Sequence, residues 1–545
     1  MTVFARDMTP AVDLTARHGP GPVRTQRPVY VELLPPCNAA CPAGENIQAW
    51  LALAQAGKYQ TAWEQLVRDN PMPSVHGRVC YHPCETGCNR KELDSSVSIH
   101  AVERFLGDQA SSLGWSMPAA APASGKRVLV VGSGPSGLSA AYHLTRLGHA
   151  VEIHEAGPLP GGMLHYGIPA YRLPRADLMR EIARIEAFGV KIVLNRKVED
   201  LLAAQAEGKF DAVFAAIGAG LARHVDLPAR DAAHVFNAVS LLRDVETGQA
   251  PVLGRRVVIY GAGNSAMDAA RTARRLGAEE AMVVFIMDKA HMEARAFEAQ
   301  EATDEGVTFK WLSAIKDIDA HAITVERMAM DAAGHPQPTG TFETLTADSV
   351  VLALGQQAES GFLGKIPGIV VAPDGTVQVG PDMMTGHVGI FAGGDMIPTE
   401  RSVTVATGHG KKAARHIDAW LRQQVFKHAD QHRTVAFAEL NLPIYADAVP
   451  SVQRELDLGA RAAGFDEVMA GLSEVAAMHE AKRCLSCGNC FECDNCFAAC
   501  PEDAIVKLGP TKFYEIKFDL CTGCMVCVEQ CPCHAMEMVA EGAPA

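Results

Sequence analysis

Cysteine is missing from a long central part of this 545-residue sequence, residues 89–483, although the whole chain contains 16 cysteines. Five of them lie between Cys37 and Cys88, and eleven lie between Cys484 and Cys533. A secreted protein held together by disulfides is usually shorter and has more evenly distributed cysteines, so this class is excluded. Two separate groups of thiols instead predict metal ligands in a reducing compartment.

Three further features are scarce or missing in the sequence. There is no long run of Lys or Arg, and the net charge is −14, which excludes a nucleic-acid partner. The uncharged stretch 128–145 is broken by glycines and Pro135, so no membrane span is expected. Residues 1–10 contain no apolar signal-peptide core, and a cytoplasmic location is expected. With 48% hydrophobic residues, a mainly disordered chain is excluded.

A β-rich run, VLVV, leads into Gly132-x-Gly134-x-x-Gly137 and then into a helical pattern. Glycines at these positions permit a tight turn and close backbone approach, so that a pyrophosphate can bind at the helix N-terminus. The next predicted strand is followed by Glu155, whose carboxylate can accept hydrogen bonds from ribose hydroxyls. This combination predicts a dinucleotide site; the alternative is a tight turn that binds nothing.

A second motif of this kind, Gly261-x-Gly263-x-x-Ala266, also lies between a strand pattern and a helix pattern. Two complete units in one chain predict two different nucleotides, FAD and a nicotinamide. Gly394 and Asp395 follow another apolar run and precede a helix-like stretch. They are consistent with nucleotide binding or with an ordinary turn at a strand end.

The C-terminal cysteines form two runs of the pattern C-x2-C-x2-C-x3-C-P. In two-cluster ferredoxins the fourth cysteine of each run ligates the other cluster, and zinc, the alternative metal, favours paired CxxC knuckles. Outside the two runs, Cys484, Cys487 and Cys533 are interpreted as buried or spare thiols. The spacing therefore predicts two [4Fe–4S] clusters with crossed ligands: Cys490, Cys493, Cys496 and Cys531 for one, and Cys521, Cys524, Cys527 and Cys500 for the other.

The N-terminal cysteines bracket an amphipathic stretch, residues 47–70, that is predicted to be helical and to end at Pro71. Their clustering predicts metal ligation, and five thiols exceed the four that one cluster needs. Inert core cysteines are the alternative. The candidate ligands occur in two groups: Cys37 and Cys41, then Cys80, Cys84 and Cys88.

Six segments taken together carry a resemblance to one family: PCNAACPAGENIQAWL, GRVCYHPCETGC, VLVVGSGPSGLSAAYHL, GGMLHYGIPAYRLP, VVIYGAGNSAMDAARTARRLGA and FAGGD. Over residues 30–480 the sequence resembles the small chain of NADPH-dependent glutamate synthase. The same module occurs in the large subunit of the bifurcating NADH-dependent ferredoxin:NADP oxidoreductase and in dihydropyrimidine dehydrogenase. The ferredoxin-like C-terminus resembles variants that partner 2-oxoacid:ferredoxin oxidoreductases.

The resemblance implies two sets of cofactor-binding residues. The first set would lie along FAD: Gly132, Gly134, Gly137, Glu155, Gly162, Met163, Gly394 and Asp395. The second set would hold the nicotinamide nucleotide: Gly261, Gly263 and Ala266.

The expected fold class is α/β, with a helical N-terminal iron–sulfur domain, two Rossmann-like dinucleotide-binding domains for FAD and NAD(P), and a C-terminal bacterial-ferredoxin-like α+β domain. The expected boundaries are 1–110 for the helical iron–sulfur domain, 111–126 for a linker, 127–250 and 356–425 for two segments of the FAD-binding domain, 251–355 for the NAD(P)-binding domain, 426–483 for a helical connector and 484–545 for the ferredoxin domain.

Two departures from the family concern the N-terminal clusters. The fuller family form has a CxxC pair ahead of Cys37 that is missing here, and Glu103 matches a ligand that relatives supply as Gln or Glu. We expect Cys41, Cys80 and Cys84 to share one cluster, completed by Glu103 or by a fourth cysteine.

Cys37 and Cys88 are then left without a cluster, as are Cys484 and Cys487. One hypothesis is that the pair Cys484 and Cys487 folds back to complete a second N-terminal cluster. The alternative is one N-terminal cluster and a CxxC pair without a function.

The third departure concerns the nicotinamide. The family's arginine pair, which faces the adenosine ribose, is replaced by Ile286 and Met287, and Asp288 follows. Loss of two cations that pair with a 2′-phosphate predicts a preference for NAD(H) over NADP(H). Lys289 or Arg295 could compensate.

These observations predict an oxidoreductase that moves electrons between NAD(P)(H) and a partner redox enzyme subunit or soluble ferredoxin, through FAD and [4Fe–4S] clusters, within a hetero-oligomer. The cofactors carry the chemistry, so no side chain is nominated as catalytic. A glutamate synthase small chain and a non-enzymatic iron–sulfur adaptor without nicotinamide activity are the alternatives.

Overall fold

The computed structural model describes residues 24–223, 234–427, 432–509 and 512–542. The N-terminal residues on which the expectation of no signal peptide depends lie outside these ranges. Within them, no helix is both long and apolar enough to cross a membrane.

A five-stranded parallel sheet is built around the first glycine motif. Its buried strands explain the continuous apolar run VLVV, because a parallel sheet is covered on both faces. Helices Pro135–Arg146 and Val403–Leu421 pack together beside it, and a Cβ at Gly410 would lie 2.3 Å from the Ser136 carbonyl oxygen. In spatial order the strands are Ile390–Ala392, Ala212–Ala215, Arg127–Val131, Ala150–His154 and Lys191–Val193.

A second parallel sheet is built around the second glycine motif. Its strands, in spatial order, are Val307–Lys310, Glu280–Val284, Arg256–Tyr260, Ser349–Leu352 and Val235–Asn237. The chain then returns to the first sheet through the strand Ile390–Ala392. The helices of this region are Ala238–Glu246, Asn264–Arg275, Lys289–His291 and Ala296–Asp304.

Two smaller sheets were not expected from the sequence. One is antiparallel and consists of Ser313–Ile318, Ala322–Met330 and Pro336–Thr346. The other pairs Leu221–Ala222 with Gln356–Gln357. The remaining helices of the two nucleotide-binding regions are Met163–Tyr166, Arg175–Ala187, Leu201–Gly208, Leu363–Lys365 and Gly394–Met396.

The N-terminal region is helical, as expected, and packs around the buried Trp50 and Trp63. The predicted amphipathic stretch is two helices rather than one, because Gly57 adopts a φ of +72° that ends the first helix. The helices are Pro36–Ala40, Ile47–Gln55, Tyr59–Leu66, Pro73–Val79, Pro83–Thr86, Asn89–Glu92 and Ile99–Leu113.

The segment 426–483 is largely not helical where the structure describes it, contrary to the expected helical connector. Pro443 and Pro450 lie in its first half, and proline removes a donor that a helix interior needs. Its helical parts are short: Phe437–Glu439, Leu442–Ile444, Leu458–Ala463 and Glu474–Lys482.

The C-terminal region combines short helices and strands, and one of its strands pairs with the N-terminal region. Gln26–Tyr30 runs antiparallel to Met536–Ala540. The other elements are Asn495–Ala499, Ile505–Lys507, Tyr514–Ile516 and Val526–Glu529. The two ends of the described chain therefore form one structural unit.

Candidate functional site

The first glycine loop has the geometry of a pyrophosphate-binding turn. Gly132 has a φ of +101°, and a Cβ there would lie 2.5 Å from the Ala216 carbonyl oxygen. A Cβ at Gly137 would lie 2.0 Å from the carbonyl oxygen of Gly132, whereas one at Gly134 would meet nothing within 4 Å. The first and third glycines thus permit close packing, and the second leaves open space at the N-terminus of the helix Pro135–Arg146.

Glu155 lies just beyond the second strand of this sheet and is held against the loop. Its carboxylate accepts hydrogen bonds from the backbone N–H of Ser133 at 2.9 Å, from the Ser133 hydroxyl at 2.6 Å and from the Gly157 N–H at 2.8 Å. A carboxylate has about four acceptor positions, so one more hydroxyl can bind there.

One cavity of about 750 Å³ joins both glycine motifs. A volume of this size suits a large cofactor. Gly137, Gly261 and Ala266 do not line the cavity. Gly137 and Gly261 are instead packed closely against backbone carbonyl oxygens. The predicted residues that line the cavity are Gly132, Gly134, Glu155, Gly162, Met163, Gly263, Gly394 and Asp395.

The two predicted segments Gly162–Met163 and Gly394–Asp395 converge on the first loop. A Cβ at Gly162 would lie 2.9 Å from the Gly134 Cα, and one at Gly394 would lie 3.0 Å from the Ser136 Cβ. Burial raises the pKa of Asp395 to about 6. These contacts are consistent with a single cofactor extended along all three segments.

Ser136 is a candidate binding residue that the sequence analysis missed. It lines the cavity, and its buried hydroxyl has no hydrogen-bond partner among the described residues. A buried polar group without a partner is costly, and a bound phosphate or ribose would satisfy it. The available signal was its position inside the glycine motif, in the first turn of the helix.

The second glycine loop repeats the geometry of the first. Gly261 has a φ of +123°, and a Cβ there would lie 2.3 Å from the Ala353 carbonyl oxygen. A Cβ at Gly263 would meet Glu293 at 3.7 Å, which leaves room at the N-terminus of the helix Asn264–Arg275. The loop therefore fits a second dinucleotide.

Cys80 lies next to the cavity. Its sequence neighbours Val79 and Tyr81 are lining residues, and Thr404, in the first turn of a cavity-lining helix, donates a hydrogen bond to the Cys80 sulfur at 3.0 Å. Asn264 donates a hydrogen bond from its amide to the Tyr81 hydroxyl at 2.7 Å. One segment thus contacts both nucleotide-binding regions and carries a candidate iron ligand.

Cys41, Cys80 and Cys84 come together as expected, with Glu103 beside them. Burial raises the pKa of the Cys84 thiol, and Cys80, Cys41 and Glu103 are among the neighbouring acidic groups that raise it further. Glu103 is itself buried and accepts a hydrogen bond from the Asn70 amide at 2.7 Å. Three thiols and one carboxylate are a suitable donor set for a cluster.

The cysteines of the two C-terminal runs lie close to one another. The pKa of Cys490 is raised to about 11 by burial and by the thiols Cys496, Cys493 and Cys531. Likewise the pKa of Cys527 is raised to about 12 by burial and by Cys521, with Cys496, Cys524 and Cys500 as further contributors. Cys531 contributes to the first triplet in this way, and Cys500 lines one small pocket together with Cys521, Cys524 and Cys527.

The N-terminal strand also contacts the C-terminal cysteines. Tyr30, in Gln26–Tyr30, has its hydroxyl 3.4 Å from the Cys496 sulfur. Its ring stacks on Tyr514 with the centroids 6.4 Å apart. No sequence pattern indicated either contact.

Comparison with known proteins agrees with this geometry. Residues 126–410 match the family model "Pyridine nucleotide-disulphide oxidoreductase", and residues 26–115 match "Dihydropyrimidine dehydrogenase domain II, 4Fe-4S cluster". The NADP(+)-dependent formate dehydrogenase subunit beta of Moorella thermoacetica is 35% identical over 83% of this chain and 70% of its own length. The NADPH-Fe(3+) oxidoreductase subunit beta of Geobacter sulfurreducens is 32% identical over 83% and 75%.

The glutamate synthase [NADPH] small chain of Escherichia coli is 30% identical over 71% of this chain and 89% of its own length, which confirms the resemblance inferred from the motifs. The chain therefore belongs to the pyridine nucleotide-disulphide oxidoreductase family and is an iron–sulfur oxidoreductase that uses FAD and NAD(P).

Proposed function

We propose that this chain is the nicotinamide-reactive, electron-transferring subunit of a larger redox complex. The observation that carries the proposal is the single cavity that is lined by both glycine motifs and by the residues on either side of Cys80. A flavin and a nicotinamide bound there would be in one space, with a candidate cluster ligand at its wall.

The residues that line the cavity have different roles in binding the two nucleotides. The open positions at Gly134 and Gly263 leave two helix N-termini accessible to pyrophosphates, and Glu155 and Ser136 offer an acceptor and a hydroxyl to the first nucleotide. FAD supplies the exchange between two-electron hydride chemistry and one-electron chemistry. The Thr404 hydrogen bond positions the Cys80 sulfur beside the cavity.

For the partner, we propose a separate redox enzyme subunit, such as a 2-oxoacid or aldehyde oxidoreductase, or a soluble ferredoxin, in the cytoplasm. Two relatives are named beta subunits, of a formate dehydrogenase and of an Fe(3+) oxidoreductase, so formate is added to the candidate substrates of such a partner. The glutamate synthase relative leaves over a quarter of this chain unmatched, and a glutamate-forming partner is therefore the second candidate.

Anaerobic titration of the purified holoprotein with NADH and with NADPH tests the proposal. We expect either nucleotide to bleach the flavin absorbance and then to produce the EPR signal of reduced clusters. Dithionite, which bypasses the nicotinamide site, is the control for intact flavin and clusters. If dithionite bleaches the flavin and neither nucleotide does, the chain is an adaptor and the proposal is wrong.

The identity of the partner is tested by affinity purification of the tagged chain from its own cells under anaerobic conditions. We expect a co-purifying subunit with its own redox centre. Recovery of a glutamate-forming subunit would favour the second candidate.

A further inference from the structure

Four cysteines come together in the structure that belong neither to the candidate cluster beside the cavity nor to the two C-terminal runs. Two belong to the N-terminal region, and two follow the helix Glu474–Lys482 near the other end of the chain. The apolar cluster that contains Trp50 and Trp63 brings both parts of the chain into contact. We name these four residues the bridging cysteines: Cys37, Cys88, Cys484 and Cys487.

Backbone hydrogen bonds fix one side of this arrangement. The Leu33 N–H donates to the Gly488 carbonyl at 3.2 Å, and the Asn489 side chain donates to the Leu33 carbonyl at 3.0 Å. The Asn89 amide, next to Cys88 in sequence, lies 3.6 Å from the Cys487 sulfur and donates to it. Segments about 400 residues apart are thus joined beside the thiols.

Ion pairs fix the other side. Arg90 donates to the carbonyl of Arg483 at 3.2 Å, and both guanidinium groups bind the carboxylate of Asp94. The Arg483 side chain is almost fully buried. A buried arginine with this many partners holds its segment in one geometry, because breaking the pair would leave an uncompensated charge.

The environment of the thiols suits a metal. Burial raises the pKa of Cys37, and the neighbouring Cys484, Cys88 and Cys487 raise it further. Burial, with Cys484 and Cys88, also raises the pKa of Cys487 to about 12. Cys37 belongs to one buried apolar cluster, and Cys88 and Cys484 pack against it, so these thiols form one group of buried sulfur ligands.

The spacing of the sulfurs favours a four-iron cluster over a zinc ion. A zinc ion binds sulfur at about 2.3 Å, so its tetrahedral ligands lie roughly 3.8 Å apart. In the part of the chain that the structure describes, no three cysteine sulfurs lie within 4.8 Å of one another. A four-iron cluster spreads its ligands farther because each cysteine binds a different iron.

We propose that the bridging cysteines ligate a further [4Fe–4S] cluster, with two ligands from each end of the chain. The pair Cys484 and Cys487 takes the place of the CxxC pair that is missing ahead of Cys37. This inference deepens the proposed function, on which it rests. The cluster would lie between Cys41, Cys80 and Cys84, the thiols on the cavity side, and the ferredoxin-like region.

Two contacts support this intermediate position. Cys37 and Cys84 belong to the same buried apolar cluster, which connects the bridging cysteines to the cavity side. Tyr445 lies on the other side, where its hydroxyl donates to the Leu485 carbonyl at 2.7 Å. Tyr445 packs against the apolar cluster that contains Cys487, and the Gly488 N–H, next to Cys487 in sequence, donates to the carbonyl of Cys533 in the ferredoxin-like region.

Iron content of the full-length chain, prepared anaerobically, tests the proposal. With four clusters the wild type should hold about 16 irons, and Cys487→Ala should lose about four. The double variant Cys37→Ala/Cys487→Ala should also lose about four, because both residues serve one cluster. Cys84→Ala/Cys487→Ala should lose about eight. Equal iron in Cys487→Ala and wild type, or a loss of eight in the first double variant, would overturn the proposal.

Ser486→Ala is the matched control, since it changes the same buried loop without removing a sulfur. It should retain the wild-type iron, and Cys484→Ala should reproduce the loss seen in Cys487→Ala together with loss of one EPR signal. Retention of flavin in every variant reports that the chain has folded. If neither nucleotide bleaches the wild-type flavin while the iron counts follow this pattern, the proposed function fails and the bridging cluster stands.

Discussion

Thr404 donates a hydrogen bond to the sulfur of Cys80 across 3.0 Å. Thr404 belongs to the helix Val403–Leu421, and this helix begins at the cavity wall, while Cys80 ends the helix Pro73–Val79 of the N-terminal region. The bond therefore connects the nucleotide-binding part of the molecule to the sulfur of a candidate cluster. A donor at this position can set the reduction potential of that cluster.

The first prediction is that Thr404→Val lowers the reduction potential of the cluster bound by Cys80. A hydrogen bond to sulfur favours the reduced, more negative cluster, and its loss removes about 1 kcal/mol, which for one electron corresponds to on the order of 40 mV. EPR-monitored redox titration measures this shift. Thr404→Ser retains the hydroxyl and should keep the wild-type potential; an unchanged potential in Thr404→Val would contradict the prediction.

The second prediction separates two glycines of one motif. A methyl group at Gly134 meets no protein atom within 4 Å, and the φ of −68° suits alanine, so Gly134→Ala should keep the melting temperature of the apoprotein. It should weaken FAD binding because the methyl occupies the space for the pyrophosphate. At Gly137 the methyl would lie 2.0 Å from a carbonyl oxygen, so Gly137→Ala should destabilise the apoprotein.

Flavin content and apoprotein melting temperature, measured on both variants, decide this prediction. Full FAD occupancy with wild-type affinity in Gly134→Ala would show that the open space is not the pyrophosphate site. An unchanged melting temperature in Gly137→Ala would show that the loop relaxes around the added methyl group.

Local patterns were enough to predict the two glycine loops and to identify the two C-terminal cysteine runs, because each motif is contained in a short segment. The strand Gln26–Tyr30 could not be placed, since its partner Met536–Ala540 lies more than 500 residues away and neither carries a distinctive pattern. The antiparallel sheet within 313–346 was missed for a related reason. Its third strand, Pro336–Thr346, is exposed along most of its length and weakly patterned, whereas Ser313–Ile318 and Ala322–Met330 have several buried positions.

For the candidate site, the sequence identified residue types but not all of their contacts. The open hydroxyl of Ser136 and the Thr404 hydrogen bond depend on how helices pack, which periodicity does not specify. The division of the chain into domains and the individual ligand assignments stay predictions.

The third prediction concerns the crossed ligands of the C-terminal cysteines. Cys500→Ala/Cys524→Ala should lose about four irons, the same as either single variant, because both residues serve one cluster. Cys500→Ala/Cys490→Ala should lose about eight. The full chain is required, because the strand Gln26–Tyr30 contributes to this region. A loss of eight irons from the first pair and four from the second would show that each run ligates its own cluster.

The last prediction is a preference for NADH over NADPH. Ile286 and Met287 pack against the apolar core of the second nucleotide-binding region and offer no charge, and the Asp288 carboxylate accepts hydrogen bonds from its own turn. Arg295, which could compensate, instead pairs with Glu400 at 2.7 Å. The missing contacts to a 2′-phosphate are worth roughly 1.5–3 kcal/mol each, or about tenfold or more in affinity.

The names of the three relatives carry NADP(+) or NADPH, so this expectation sets the chain apart from them. The measurement is kcat/KM for both nucleotides in the wild type and in the Ile286→Arg/Met287→Arg variant. We expect the wild type to favour NADH and the variant to gain activity with NADPH, because two guanidinium groups can bind the phosphate. Matched controls are the Ile286→Gln/Met287→Gln substitutions, which are polar but uncharged. A wild-type preference for NADPH would show that these positions do not determine binding of the 2′-phosphate. Equal gains of NADPH activity in the arginine and glutamine variants would show the same.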